Sequence, residues 1–206
     1  MRMLDLFCGR GGWTNGFLER GWECIGVDIV RHPDYRGTFV QANVLNISMG
    51  PEGRICIHAS DPLLFAFKFD FICASSPCEN FSIHRLKNFH PNPPYPELGI
   101  RLFNHTRTIC ELSGKPYVME NVQSAEPFVG RARAHAGSFY LWGTGVPTLL
   151  PKGLTKGMKM DRKWCQELGG HGSSRRDAQT AGFATIPPEL AGCVADYAER
   201  IVAVAV

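Results

Sequence analysis

A doubly wound, mostly parallel α/β sheet is the fold the sequence predicts, and three observations carry that expectation. Short apolar runs alternate along the chain with stretches of helical spacing. The first run, Met3-Leu4-Asp5-Leu6-Phe7, passes through Cys8-Gly9-Arg10-Gly11-Gly12 into a helical stretch, Trp13 to Arg20, closed by Gly21. That order of strand, glycine turn and helix opens many ligand-binding βαβ units, because glycines let backbone approach a ligand at a helix N-terminus. The chemically interesting side chains, finally, stand just after apolar runs, at the edge where open parallel sheets keep their ligands.

Length and composition are consistent with this. At 206 residues the chain is expected to form one domain with a sizeable core. Hydrophobic content of 44% and charged content of 20% are those of an ordinary globular protein. No apolar run reaches membrane-span length and no leader is recognisable, so a cytoplasmic protein with no membrane partner is expected. The eight cysteines are scattered without a Cys-x-x-Cys pair, which fits reduced thiols and calls for no metal. Net charge is only +3, but between Arg131 and Asp177 nine basic residues stand against three acids. A basic segment beside a near-neutral body is the footprint of a polyanion binder.

The elements follow in order. Glu23-Cys24-Ile25-Gly26-Val27 is the second strand and ends in Asp28, where an acid can accept hydrogen bonds from ribose hydroxyls. Phe39 to Val44 reads as the third strand, and residues 45–67 as a mixed connection. Phe69 to Ala74 is the fourth and delivers Ser75-Ser76-Pro77-Cys78. Proline stiffens the turn before the sulfur, which suits a nucleophile that must be aimed, although a lone Pro-Cys equally fits a buried structural thiol. Asn80 to Pro96, with Pro91, Pro93, Pro94 and Pro96, reads as a long irregular loop and a candidate lid.

Glu97 to Ser113 has helical spacing through Leu98, Leu102, Ile109 and Leu112, and Gly114 stops it. Pro116 to Met119 is a fifth strand running into Glu120-Asn121-Val122, and Gly137 to Trp142 is a further candidate. Val146 to Phe183 is rich in glycine and basic residues with little periodicity. Ile186-Pro187-Pro188-Glu189 then opens a last helix, whose stripe Leu190, Val194, Tyr197, Ile201 and Val204 reads as core.

Taken together, Asp5-Leu6-Phe7-Cys8-Gly9-Arg10-Gly11-Gly12, Pro77-Cys78, Glu120-Asn121-Val122 and Arg131-Ala132-Arg133 resemble the cytosine-C5 DNA methyltransferase family. They occur in the family's order over about residues 3–142. The resemblance implies a Rossmann-like fold of the S-adenosylmethionine-dependent methyltransferase type. It implies a cofactor pocket of Asp5, Phe7, Gly9, Gly11, Gly12, Asp28, Ile29, Asn43 and Pro77. Cys78 would be the nucleophile, Glu120 would contact the cytosine ring, and Arg131 and Arg133 would support them. The chemistry requires such residues: thiolate addition at C6, helped by a protonated carboxyl at N3, makes C5 nucleophilic.

Glu79, Asn43, Val129 and the run Phe183-Ala184-Thr185-Ile186 depart from the family pattern, and the recognition region is small. Residues 146–183 would be a basic recognition insert and residues 186–206 a C-terminal helix on the catalytic core. This layout resembles compact phage-type members. Double-stranded DNA with a flipped base is the expected partner, bound by a monomer. The contacts would come from Ser82, His84, Arg85 and Lys87 after the thiol, and from Lys152, Lys156, Lys159, Arg162, Lys163, Arg175 and Arg176 in the insert. RNA or a free cytidine nucleotide as substrate stays open at this point, as does a non-catalytic binding relic.

Overall fold

The computed structural model describes residues 1–50, 54–58, 64–85, 95–151 and 185–204. Its central sheet is built from β1 (Arg2–Leu6), β2 (Glu23–Asp28), β3 (Thr38–Gln41), β7 (Phe71–Ser75), β8 (Tyr117–Asn121), β9 (Ala134–Ala136) and β10 (Phe139–Trp142). The spatial order is β3-β2-β1-β7-β8-β10-β9. From β3 through β8 neighbouring strands run parallel, and β10 and β9 close one edge antiparallel. The chain winds outward from β1 in one direction and, from β7, in the other. β1 and β7 therefore flank the topological switch point, where loops leaving adjacent carboxyl ends diverge and open a crevice.

Burial on both faces explains the near-continuous apolar runs of the central strands. On one face Met3, Cys73, Val118 and Leu141 pack with Trp13 and Phe17 of α1 (Gly12–Leu18) and with Leu190 and Val194 of the last helix. On the other face Leu4, Leu6, Ile72 and Met119 pack with Phe81, Phe103 and Ile109. A methyl group on Gly16 would stand 2.6 Å from the Cβ of Ala191, so α1 and the last helix meet at near-backbone separation. Arg20, bonded to Asp196 and to the Gly16 carbonyl, closes the rim of this contact.

Several expectations need correction. The connection 45–67 contains β4 (Ile47–Met49), β5 (Ile55–His58) and β6 (Leu64–Phe67), which form a separate three-stranded antiparallel sheet. The third strand ends at Gln41, because the Asn43 side chain accepts from the Leu45 N–H and caps a 3₁₀ turn over Val44–Asn46. The stretch after the thiol is not irregular throughout: α2 (Glu79–Arg85) begins there. The four prolines all lie beyond Arg85, so nothing in 79–85 breaks a helix.

Glu97–Ser113 is a helix, α3, but its phase differs from the leucine stripe. Gly99, Phe103, Thr106, Ile109 and Cys110 face the core, whereas Leu98 and Leu112 are exposed. Phe103, edge-on to Trp142, sets that phase, since one aromatic ring buries more surface than either outer leucine. After α4 (Glu126–Val129) and the β9–β10 hairpin, the last helix, α5, spans Pro188–Val204. Its inner face is Leu190, Ala191, Val194, Ala195 and Ala198, and Val204 is exposed. Among the described residues no helix is long and apolar enough to cross a membrane.

Candidate active site

The loop leaving β1 is held in an unusual backbone shape. Phe7 adopts a left-handed φ of 57°, rare for a bulky residue, and Gly9 and Gly11 follow at 49° and 84°. Asp28, at the end of β2, fixes this shape from the next strand. One of its carboxylate oxygens accepts the Gly9 N–H at 3.0 Å and the other accepts the Val30 N–H at 3.0 Å. Above Gly9 no heavy atom lies within reach of an added methyl group, so the loop faces open space. Ile29 stands beside it, 62% exposed.

Two of the expected pocket residues have structural contacts of their own. A methyl group on Gly12 would come within 2.9 Å of Ile186, so this glycine admits the segment before α5. Asp5 is 1% exposed and lies beneath the loop, with one oxygen accepting from the Thr14 hydroxyl at 2.7 Å and from the Thr14 N–H at 3.2 Å. It thereby anchors the first turn of α1. Burial pushes its carboxyl up to about 7.

The neighbouring loop leaves β7. Ser75 pairs in register with Glu120 on β8, which brings the carboxylate strand beside the approach to Pro77 and Cys78. Asn121, fully buried, donates to the Ser76 carbonyl and to the Ser76 hydroxyl, both at 3.0 Å, while its own oxygen accepts the Val122 N–H at 2.9 Å. Trp13, from α1, donates its indole N–H to the Ser75 hydroxyl at 2.9 Å. Cys78 is half-buried, and its carbonyl receives the Phe81 and Ser82 N–H groups that start α2. Cys8, Cys24, Cys73 and Cys110 are buried instead, and burial holds all four as thiols, Cys24 pushed up to about 12.

The arginines sit farther out than the resemblance suggests. Leu141 of β10, not an arginine, pairs with Glu120, and β9 lies beyond β10 at the sheet edge. The Arg133 N–H extends the hairpin by donating to the Leu141 carbonyl. Arg131 and Arg133 are both exposed, and among the described residues neither forms an ion pair with Glu120. Asn43 is exposed near β3, with its side-chain oxygen engaged by the Leu45 N–H, which leaves the amide NH₂ to face a ligand. Ser82, His84 and Arg85 belong to α2. Lys87, Lys152, Lys156, Lys159, Arg162, Lys163, Arg175 and Arg176 lie outside the described residues, as does nearly all of the expected insert.

Sequence reasoning missed three contributors: Trp13, Thr14 and the clamp made by Asn121. A polar residue at the end of an apolar run signals the last of these. The others act across elements far apart in sequence and leave no local pattern.

The open space over Gly9, a half-buried carboxylate and an exposed aliphatic side chain fit a nucleoside bearing ribose hydroxyls and a flat base. Two solved structures are similar at 18% identity. One is described as a DNA modification methyltransferase encoded within an Escherichia coli prophage, with a TM-score of 0.40, covering 61% of this chain and 33% of that one. The other is a glycopeptide N-methyltransferase complexed with S-adenosylmethionine, with a TM-score of 0.31, covering 69% of this chain and 57% of that one. This chain thus spans a third of the length of the first and just over half of the second. No curated protein matches the sequence. The family described as C-5 cytosine-specific DNA methylase matches residues 1–126, the span that carries the glycine loop, Pro77-Cys78 and Glu120-Asn121-Val122. The chain belongs to the C-5 cytosine-specific DNA methylase family.

Proposed function

We propose that the protein methylates C5 of cytosine in DNA, with S-adenosylmethionine as methyl donor and Cys78 as nucleophile. The observation that supports this reading best is the switch-point arrangement. The glycine loop, Pro77-Cys78 and Glu120 leave the carboxyl ends of three adjacent parallel strands, β1, β7 and β8. Phe7, Gly9, Gly11, Asp28, Ile29, Asn43 and Pro77 would hold the cofactor, Asp28 on the ribose and Ile29 against the base. When bound, S-adenosylmethionine would supply an electrophilic methyl group, its sulfonium keeping the sulfur–carbon electron pair and leaving as a neutral thioether.

The chain's own residues do the rest. The Cys78 sulfur adds to C6 of cytosine while Glu120, as the acid, delivers a proton to N3. The electron pair released at C5 forms the new carbon–methyl bond. Loss of the C5 proton to a base, with the N3 proton returning to Glu120, then re-forms the C5–C6 double bond and expels the Cys78 thiolate. Asn121 and Trp13 keep the sulfur aimed by pinning Ser76 and Ser75. Exposed Arg131 and Arg133 are assigned to phosphate and base oxygen on a duplex whose target base is flipped out, with the protein acting as a monomer. Residues 146–183 would supply the remaining phosphate contacts within a single domain.

The test is transfer of labelled methyl groups to duplex DNA, single-stranded DNA, tRNA and dCMP, followed by bisulfite sequencing of the DNA product. Label in duplex DNA at C5 of cytosine supports the reading. Label confined to RNA or to the nucleotide moves the substrate. Absence of label from every acceptor, with cofactor bound, leaves a binding relic of the family.

A further inference from the structure

The crossover from β2 to β3 is only nine residues long, 29–37, and contains no helix. Parallel neighbours are usually joined by a longer connection that covers the sheet with a helix. Here one side chain, Tyr35, occupies the covering position. Three glycines from three elements make room for its ring. A methyl group on Gly11 would stand 3.2 Å from the ring, one on Gly37 3.0 Å from it, and one on Gly26 would overlap the phenol hydroxyl. Phe39 meets the ring edge-on at 5.8 Å.

The hydroxyl of Tyr35 lies 2.7 Å from the Thr14 hydroxyl, which in turn lies 2.7 Å from the Asp5 carboxylate. The Thr14 hydroxyl donates to the Asp5 oxygen that also accepts the Thr14 N–H, so its one proton is spent there and Tyr35 donates to Thr14. Thr14 sits in the first turn of α1, and Asp5 stands two residues before the left-handed Phe7. A second tie, Arg10 to Asp34 at 2.9 Å, joins the same two segments at the surface.

We propose that Tyr35 is a positioning residue for the cofactor loop. It acts as a clasp that fixes the glycine turn and the opening of α1 in the shape presented to a ligand. This rests on the reading of that loop as the S-adenosylmethionine site. The ring alone would serve simple packing. The hydroxyl, tied through Thr14 to Asp5, adds to the Asp28 bond by holding the helix turn into which the loop runs.

Tyr35→Phe and Tyr35→Ala in the full chain test this with two readouts. Hydrogen exchange of residues 7–15 should quicken about fivefold in Tyr35→Phe, with the β8 amides unchanged. The dissociation constant for S-adenosylmethionine, measured well below unfolding, should rise about five- to tenfold, with KM for DNA unaltered. Tyr35→Ala should exceed both effects, and Tyr35→Phe carries the test if the alanine variant does not fold. A lower Tm with parental exchange and parental cofactor affinity would reduce Tyr35 to packing and overturn the proposal. If the parent itself binds no S-adenosylmethionine, the functional reading fails instead. The exchange measurement still decides the clasp, and unchanged rates would sink it.

Discussion

The two loops at the switch point are both held by side chains from other elements, one at its backbone and the other at its side chains as well. The glycine loop after β1 is fixed through its backbone: Asp28 takes the Gly9 N–H, and Gly11 lies under the Tyr35 ring. The cysteine loop after β7 is fixed through side chains reaching from elsewhere, Asn121 from β8 and Trp13 from α1. The first leaves its upper face bare over Gly9, while the second leaves a half-buried sulfur at its tip. A loop that binds by its backbone must shed side chains, and a loop that delivers one atom must be braced from outside. The difference explains why glycines mark one loop and a proline the other.

The sharpest break of this comparison is Cys78→Ala, which removes the delivered atom and leaves both braces. Methyl transfer should fall by a factor of about 1000 or more, while cofactor affinity stays parental. The parent, and not the variant, should trap 5-fluorocytosine DNA covalently. Turnover by the variant would show that the second loop delivers nothing.

Asn121→Ala strips the brace and keeps the sulfur. It leaves the buried Ser76 hydroxyl and carbonyl without their donor, at about 2–3 kcal/mol of stability. A denaturant titration checks that figure, and methyl transfer should fall with little change in cofactor affinity. Parental stability would mean that Ser76 finds water instead.

Asp28→Ala acts on the other loop by freeing the Gly9 and Val30 N–H groups. Calorimetry should show cofactor binding weakened by about 1–3 kcal/mol, with the 5-fluorocytosine trap still possible at saturating cofactor. An unchanged affinity would place the ligand elsewhere.

A pH-dependent effect concerns Asp5, which lies beneath the glycine loop. Burial raises its carboxyl from 3.8 to about 7, so the folded protein keeps a proton there that the unfolded chain has already released. Stability is therefore greatest at low pH from this group and declines as pH rises from about 4 to about 7, then levels. Asp5→Asn should flatten that decline, by roughly 2–3 kcal/mol in urea melts compared at pH 5 and pH 8. An identical slope in parent and variant would show that Thr14 already holds the carboxylate ionised.

Much of this was legible in the chain. β1, β2, β7 and β8 announce themselves as apolar runs because both faces of a central parallel strand are buried. Their ends at Asp28, Pro77-Cys78 and Glu120 located the candidate chemistry, since polar residues terminate such runs where the sheet meets solvent. The phase of α3 was not legible. Leu98 and Leu112 fit a helical period as well as Phe103 does, and only the neighbouring Trp142 decides which side faces in. Nor was the small sheet of residues 47–67, whose strands gain their ladder bonds only from one another.

By itself, then, the sequence determined the sheet type, the loops of the candidate site and the family, because all three depend on residues adjacent along the chain. Tertiary structure alone decided which loops meet and what holds them. Register set Glu120 against Ser75 and put β10 between Glu120 and β9, the strand that Arg131 and Arg133 precede. Packing turned Gly12 and Gly16 toward α5 and seated Tyr35 among three glycines. Apart from Gly37, two positions from Tyr35, these contacts join residues nine or more positions apart, and no local propensity encodes a partner at that distance.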